Sequence, residues 1–149
     1  MMDRKYLVDN NALVSIGTKR WKTIFFREHC LIAADVAHEA RYRAHSFPAD
    51  VIVPVTPAIL SQVARIMKTV LPGDTRLLDL YGNKGAADPV LVATAVVLQA
   101  EESELLVGDT LVIVTRDEAV GEKAKEFDIE TVLPDELAAL IDAAESKAV

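Results

Sequence analysis

Apolar residues along the chain fall into two kinds of run. Short continuous runs read as buried strands: Lys5–Val8, Leu31–Ala33, Val51–Val55, Leu111–Thr115 and Ile129–Val132. Leu111–Thr115 is the clearest, an uninterrupted β-branched stretch of the kind found in parallel sheets. Between the strands the spacing turns helical. Ile59, Val63, Ile66, Met67 and Val70 keep the helical period behind Pro57. Val90–Leu98 is apolar all round and predicts a central buried helix. Glu118–Phe127 is amphipathic, and Pro134 opens a last helix with Leu137, Leu140, Ile141 and Ala144 on one face. A further helix covers Ala33–Ala40.

Strands alternating with helices predict an α/β fold with a five-stranded, mainly parallel sheet. No repeat or Pro/Gly-rich linker divides the chain, so 1–146 reads as one domain and 147–149 as a frayed tail. In such sheets functional groups gather at the carboxyl ends of the strands. Asp9 directly follows the first strand, and Asp117 comes two residues after Leu111–Thr115.

Composition adds constraints. The 149 residues, 51% hydrophobic, suffice for one real core. The longest apolar stretch, Pro89–Ala100, is too short for a bilayer. The N-terminus lacks the apolar segment of a signal peptide, and the lone Cys30 admits no internal disulfide. A cytoplasmic protein with no membrane association is the expectation. The net charge of −7 is uneven. Residues 1–47 carry eight Lys and Arg against five Asp and Glu, and residues 48–149 carry eight against eighteen. Phosphate contacts, if made, therefore rely on the N-terminal third or on cations.

Four acids sit where a carboxylate is costly without a purpose: Asp9 after Tyr6-Leu7-Val8, Glu39 among small and apolar neighbours, Asp88 before Pro89, and Asp117 after Thr115-Arg116. Clustered carboxylates repel one another, and divalent cations relieve the repulsion. Hard oxygen donors suit Mg²⁺ or Mn²⁺. Each acid also has a plainer role. Asp88 and Asp117 are well placed to cap helices, Asp9 can be a turn residue, and Glu39 can face solvent.

At these residues the chain resembles the PIN domains, and among them the VapC-type toxins of type II toxin–antitoxin pairs. The resemblance lies in Tyr6-Leu7-Val8-Asp9-Asn10-Asn11, in Asp35-Val36-Ala37-His38-Glu39, in Gly85-Ala86-Ala87-Asp88-Pro89-Val90-Leu91-Val92-Ala93-Thr94-Ala95, and in Val114-Thr115-Arg116-Asp117 with Val132-Leu133-Pro134-Asp135-Glu136. It implies a three-layer fold with helices on both sheet faces and a Mg²⁺- or Mn²⁺-dependent endoribonuclease. Asp9, Asp88 and Asp117 would hold metal, and Glu39 would complete the site directly or through water. Asn11 and Thr115 would orient the carboxylates. The implied partners are an RNA substrate, a small antitoxin protein and a second copy of the chain. Asp88 and Asp117 are 29 positions apart, longer than the family pattern, which predicts a longer helix or an added loop around Gln99–Thr110. Ala87 stands where some relatives carry an extra acid.

Lys19, Arg20, Trp21 and Lys22 pair basic residues with an aromatic and are candidate RNA contacts, or a helix surface with Trp21 packed inward. Arg41 and Arg43 follow Glu39 and are candidates for the site entrance. His29, His38 and His45 lack ligand spacing. Two rival readings stand beside the nuclease. One is a PIN-like binding module with weak or lost catalysis. The other is a metal-dependent phosphatase, against which Asp9-Asn10-Asn11 lacks the second acid of an Asp-x-Asp opening.

Overall fold

The first strand, β1 (Arg4–Val8), runs through the middle of a five-stranded sheet whose strands all lie parallel. The computed structural model describes residues 3–41, 47–72 and 88–147, with the backbone alone at 39–41 and 88. After β1 come α1 (Asn10–Ile16), α2 (Thr18–Trp21), α3 (Ile24–His29), β2 (Cys30–Ala33) and α4 (Ala34–Arg41). Then follow β3 (Ile52–Val53), α5 (Pro57–Met67), α6 (Asp88–Ser103), β4 (Thr110–Val114), α7 (Glu118–Glu126), β5 (Glu130–Val132) and α8 (Pro134–Lys147). The strand order is β3-β2-β1-β4-β5. This is the three-layer α/β architecture expected from the sequence.

Side-chain alternation along the central strands builds the layers. Tyr6, Val8, Val112 and Val114 pack with Leu13, Ile16, Phe26, Leu137 and Ile141 on one face. Leu7 and Ile113 pack on the other with Ile59, Ile66, Leu91, Val92, Val120 and Ala124. Both faces of β1 and β4 are thus covered, which is why these strands read as unbroken apolar runs. Each fully buried Leu or Ile contributes roughly 1.5–3 kcal/mol.

Several elements differ from the sequence expectation. The strand expected over Val51–Val55 shrinks to two residues, because Ala49–Val51 closes a 3-10 turn and Val51 points into the core. Helices fill 10–29, where periodicity predicts none. α1 ends at Gly17, whose φ of 86° is readily adopted only by glycine. Leu140 is exposed rather than part of the buried face of α8, which is held by Leu137 and Ile141. α8 continues to Lys147, and residues 148–149 lie outside the described residues. The added length expected around Gln99–Thr110 is a helix, α6, that runs to Ser103 and then a turn.

Candidate functional site

The register of β1 against β4 sets the site. Val8 pairs with Val114, so the chain leaves both strands side by side at the carboxyl edge. The Asp9 N–H donates to Val114 O at 3.2 Å, and the Thr115 N–H to Val132 O at 3.1 Å. Asp9 and Thr115 are thereby fixed on neighbouring strand ends.

Asp9 starts α1 as its N-cap, with Oδ1 accepting from the Ala12 N–H at 2.7 Å. Its Oδ2 accepts from the Thr115 hydroxyl at 2.5 Å. The same Thr115 oxygen accepts from the Asp117 N–H at 3.0 Å. Asp117 in turn caps α7, its Oδ1 accepting from the Ala119 and Val120 N–H groups at 2.9 and 3.4 Å. Thr115 is 4% exposed, so this enclosed hydroxyl both donates and accepts within the site. The helix caps and the carboxylate pair are one structure: the plainer roles of Asp9 and Asp117 and their candidate functional roles coincide.

Burial lifts the Asp9 carboxyl above the ordinary carboxylate range. The Thr115 and Ala12 hydrogen bonds pull it down in part, and the negative charge of Asp117 pushes it further up. Two acids within electrostatic reach, one of them half-buried, form a locus of negative potential at the sheet edge.

The remaining two acids are located by their backbone. The C-terminal part of α6 lies at the amino edge of the sheet: Gln99 Oε1 accepts from the Leu111 N–H at 2.9 Å, and Glu102 pairs with Lys5. α6 spans 16 residues and therefore about 24 Å, so its first residue, Asp88, lies towards the opposite, carboxyl edge. α4 leads directly off the carboxyl end of β2, and Glu39 is in its second turn. The side chains of Glu39, Asp88 and Arg41, and all of Arg43 and Ala87, lie outside the described residues. Among the described residues no three His, Cys, Asp or Glu side chains form a group that could hold a metal ion. Asp9 and Asp117 supply carboxylate oxygens, a donor type that fits a hard cation. Mg²⁺ usually keeps several waters and takes only one or two carboxylates.

Asn11 is exposed on α1 and makes no hydrogen bond to either carboxylate among the described residues. The basic-aromatic cluster divides. Trp21 is 5% exposed, its Nε1–H donates to Leu13 O at 2.8 Å, and its ring packs on Phe47 at 5.4 Å. It is a core residue whose ring has no free face for a base, which removes it from the candidate RNA contacts. Arg20 grips both oxygens of Asp142 on α8 at 2.9 and 2.8 Å and donates to Ile16 O at 2.8 Å. Lys19 and Lys22 are exposed.

No protein-family model matches the chain, and no curated protein matches it. Among the described residues no helix is long and apolar enough to cross a membrane.

Proposed function

We propose that the chain is a metal-dependent endoribonuclease of the PIN type, working from the carboxyl edge of β1 and β4. The observation that carries this reading is the coupling of Asp9 and Asp117 through Thr115 on adjacent central strands. A half-buried carboxylate kept next to a second one is electrostatically unfavourable, and a divalent cation removes that penalty. The sequence motifs add Asp88 and Glu39 to the same edge.

In this reading Asp9, Asp88 and Asp117 hold Mg²⁺ or Mn²⁺, with Glu39 completing the site. The cation, when bound, supplies charge neutralisation at the scissile phosphate and acidifies water. The protein's own contribution is rigidity. Oδ1 of each aspartate is fixed by helix N–H groups, and Asp9 Oδ2 is fixed by Thr115, which leaves the remaining lone pairs for a ligand. Lys19 and Lys22 supply exposed positive charge for an RNA backbone. A small antitoxin protein that covers the acids is the natural inhibitor in a toxin setting, and the cytoplasm is the corresponding compartment.

A PIN-like binding module is the second reading. It draws on one observation: both described carboxylates are already used as helix caps, and among the described residues they find no third acid.

Cleavage of a mixed pool of tRNA and single-stranded RNA with Mg²⁺ or Mn²⁺ separates the two. Cleavage abolished by EDTA, by Asp9→Asn and by Asp88→Asn is expected of the nuclease. RNA binding without cleavage, or cleavage indifferent to both substitutions, assigns the chain to the binding module.

A further inference from the structure

At the carboxyl edge of the sheet the chain leaves its five strands through residues 9–11, 34–36, 54–56, 115–118 and 133–136. These residues include six acids and a single Lys or Arg, Arg116. Both neighbours of Arg116 are fixed in place. The Thr115 N–H donates to Val132 O at 3.1 Å, and the Asp117 N–H donates to Thr115 Oγ1 at 3.0 Å. Arg116 therefore starts from a held backbone, one position from the Asp117 carboxylate.

Its guanidinium makes one contact among the described residues: Nη2 donates to Asp135 Oδ1 at 2.6 Å, in the first turn of α8. The two side chains are 56% and 74% exposed. A pair this open to water contributes little to stability, so a phosphate can displace the carboxylate at small cost. Arg20 shows the contrast, with three of its donors committed to Asp142 and Ile16 O. Arg116 spends one N–H of its five, which leaves most of the planar fork to meet the oxygens of a phosphate. Asp135 also draws the guanidinium towards α8, and among the described residues Arg116 makes no ion pair with Asp117.

We infer that Arg116 binds a phosphate of the RNA next to the one at the acidic site, and that Asp135 competes with this phosphate for the guanidinium. The inference rests on RNA as the ligand, which both readings of the proposed function share. Electrostatics carry it. Strand ends with six acids repel a polyanion. A cation between Asp9 and Asp117 neutralises one phosphate only, and its neighbour in the strand needs a positive charge of its own. Arg116 is the base that the strand ends themselves supply. Asp135 has the matching role of a placeholder: with no RNA bound it satisfies the guanidinium and leaves the Asp117 carboxylate open.

Fluorescence anisotropy of a labelled single-stranded RNA tests it, over a range of KCl concentrations and with Ca²⁺ in place of Mg²⁺ as the hard cation. Wild type, Arg116→Ala, Arg116→Lys, Asp135→Ala and the double variant Arg116→Ala with Asp135→Ala are compared, with urea midpoints as the check on folding. Arg116→Ala is expected to bind roughly tenfold more weakly, with a salt slope shallower by about 0.7, the share of one single-strand phosphate contact. Arg116→Lys keeps the slope. Asp135→Ala binds more tightly than wild type, and that gain vanishes in the Arg116→Ala background. A wild type that binds no RNA overturns the inference. So does Arg116→Ala with the affinity and slope of wild type, or an Asp135→Ala gain that is absent or that persists without Arg116. Cleavage of the same RNA with Mg²⁺ is scored separately. The expected binding pattern without cleavage removes the nuclease reading and leaves Arg116 in its role, whereas cleavage by a wild type whose Arg116→Ala variant binds equally well overturns the inference alone.

Discussion

Thr115 ties the end of one central strand to the exit of the next: its hydroxyl donates to Asp9 Oδ2 at 2.5 Å while its oxygen accepts from the Asp117 N–H at 3.0 Å. The two aspartates are 108 positions apart in the chain, yet a single buried side chain bonds both the carboxylate of one and the backbone of the other.

Thr115→Val keeps the shape and deletes both bonds. A hydrogen bond to a charged group contributes about 1.5–3 kcal/mol, so the variant is expected to lose stability in that range. Residues that orient ligands affect metal affinity by about 10–100-fold, and a loss of about tenfold in Mn²⁺ affinity is expected. Thr115→Ser restores most of both. Urea unfolding and Mn²⁺ titration check the pair, and a Val variant equal to wild type in both would remove Thr115 from the site.

The raised Asp9 carboxyl gives a pH signature. Burial and the Asp117 charge make the native state hold the Asp9 proton more tightly than the unfolded chain does. This contribution to stability is complete below the unfolded carboxylate value and is lost as pH rises through the folded one. Ionising Asp9 in the folded protein therefore carries a net penalty. Asp9→Asn retains the helix cap and should unfold at a higher urea concentration than wild type at neutral pH. The gap should narrow on acidification through the carboxylate range. Urea midpoints measured for both proteins across pH check the sign.

Trp21 separates packing from recognition. Trp21→Ala empties a core site and should cost about 3–5 kcal/mol. Trp21→Phe removes the indole donor to Leu13 O, which keeps the Gly17 N–H, and should cost about 0.5–1.5 kcal/mol. RNA affinity of the folded Phe variant should stay unchanged, while Lys19→Ala with Lys22→Ala lowers affinity and flattens its salt dependence. Fluorescence anisotropy with labelled RNA at several salt concentrations reads both effects.

Gly108→Ala tests the turn that follows α6, where the Asp109 N–H donates to Glu102 Oε2 at 2.9 Å. The new Cβ would meet the Glu102 carbonyl, and overpacking of this kind costs about 1–3 kcal/mol. A melting temperature equal to wild type would mean that the turn relaxes freely.

The central strands were legible because β1 and β4 are covered on both faces, which forces continuous apolar runs. The helices over 10–29 were not. They are at most seven residues long, too short for a periodic signature, and they depend on Asp9, Gly17 and Thr23 at their boundaries. Trp21 sits in a basic stretch that resembles a surface, while its bond to Leu13 and its contact with Phe47 draw it inward. Asp9 and Asp117 were legible as strand-end acids. That each also caps a helix, and that Thr115 joins them, follows from the β1–β4 register, which a linear pattern does not contain.

The central claim is that the carboxyl edge binds a divalent cation through Asp9 and Asp117. Mn²⁺ binding followed by electron paramagnetic resonance, for wild type, Asp9→Asn and Asp117→Asn, tests it most directly. Both substitutions can still cap their helices, so the fold should persist. The account predicts saturable Mn²⁺ binding by wild type and a loss of at least about tenfold in affinity for each variant. Wild-type binding that is absent, or that is unchanged in both variants, would contradict it.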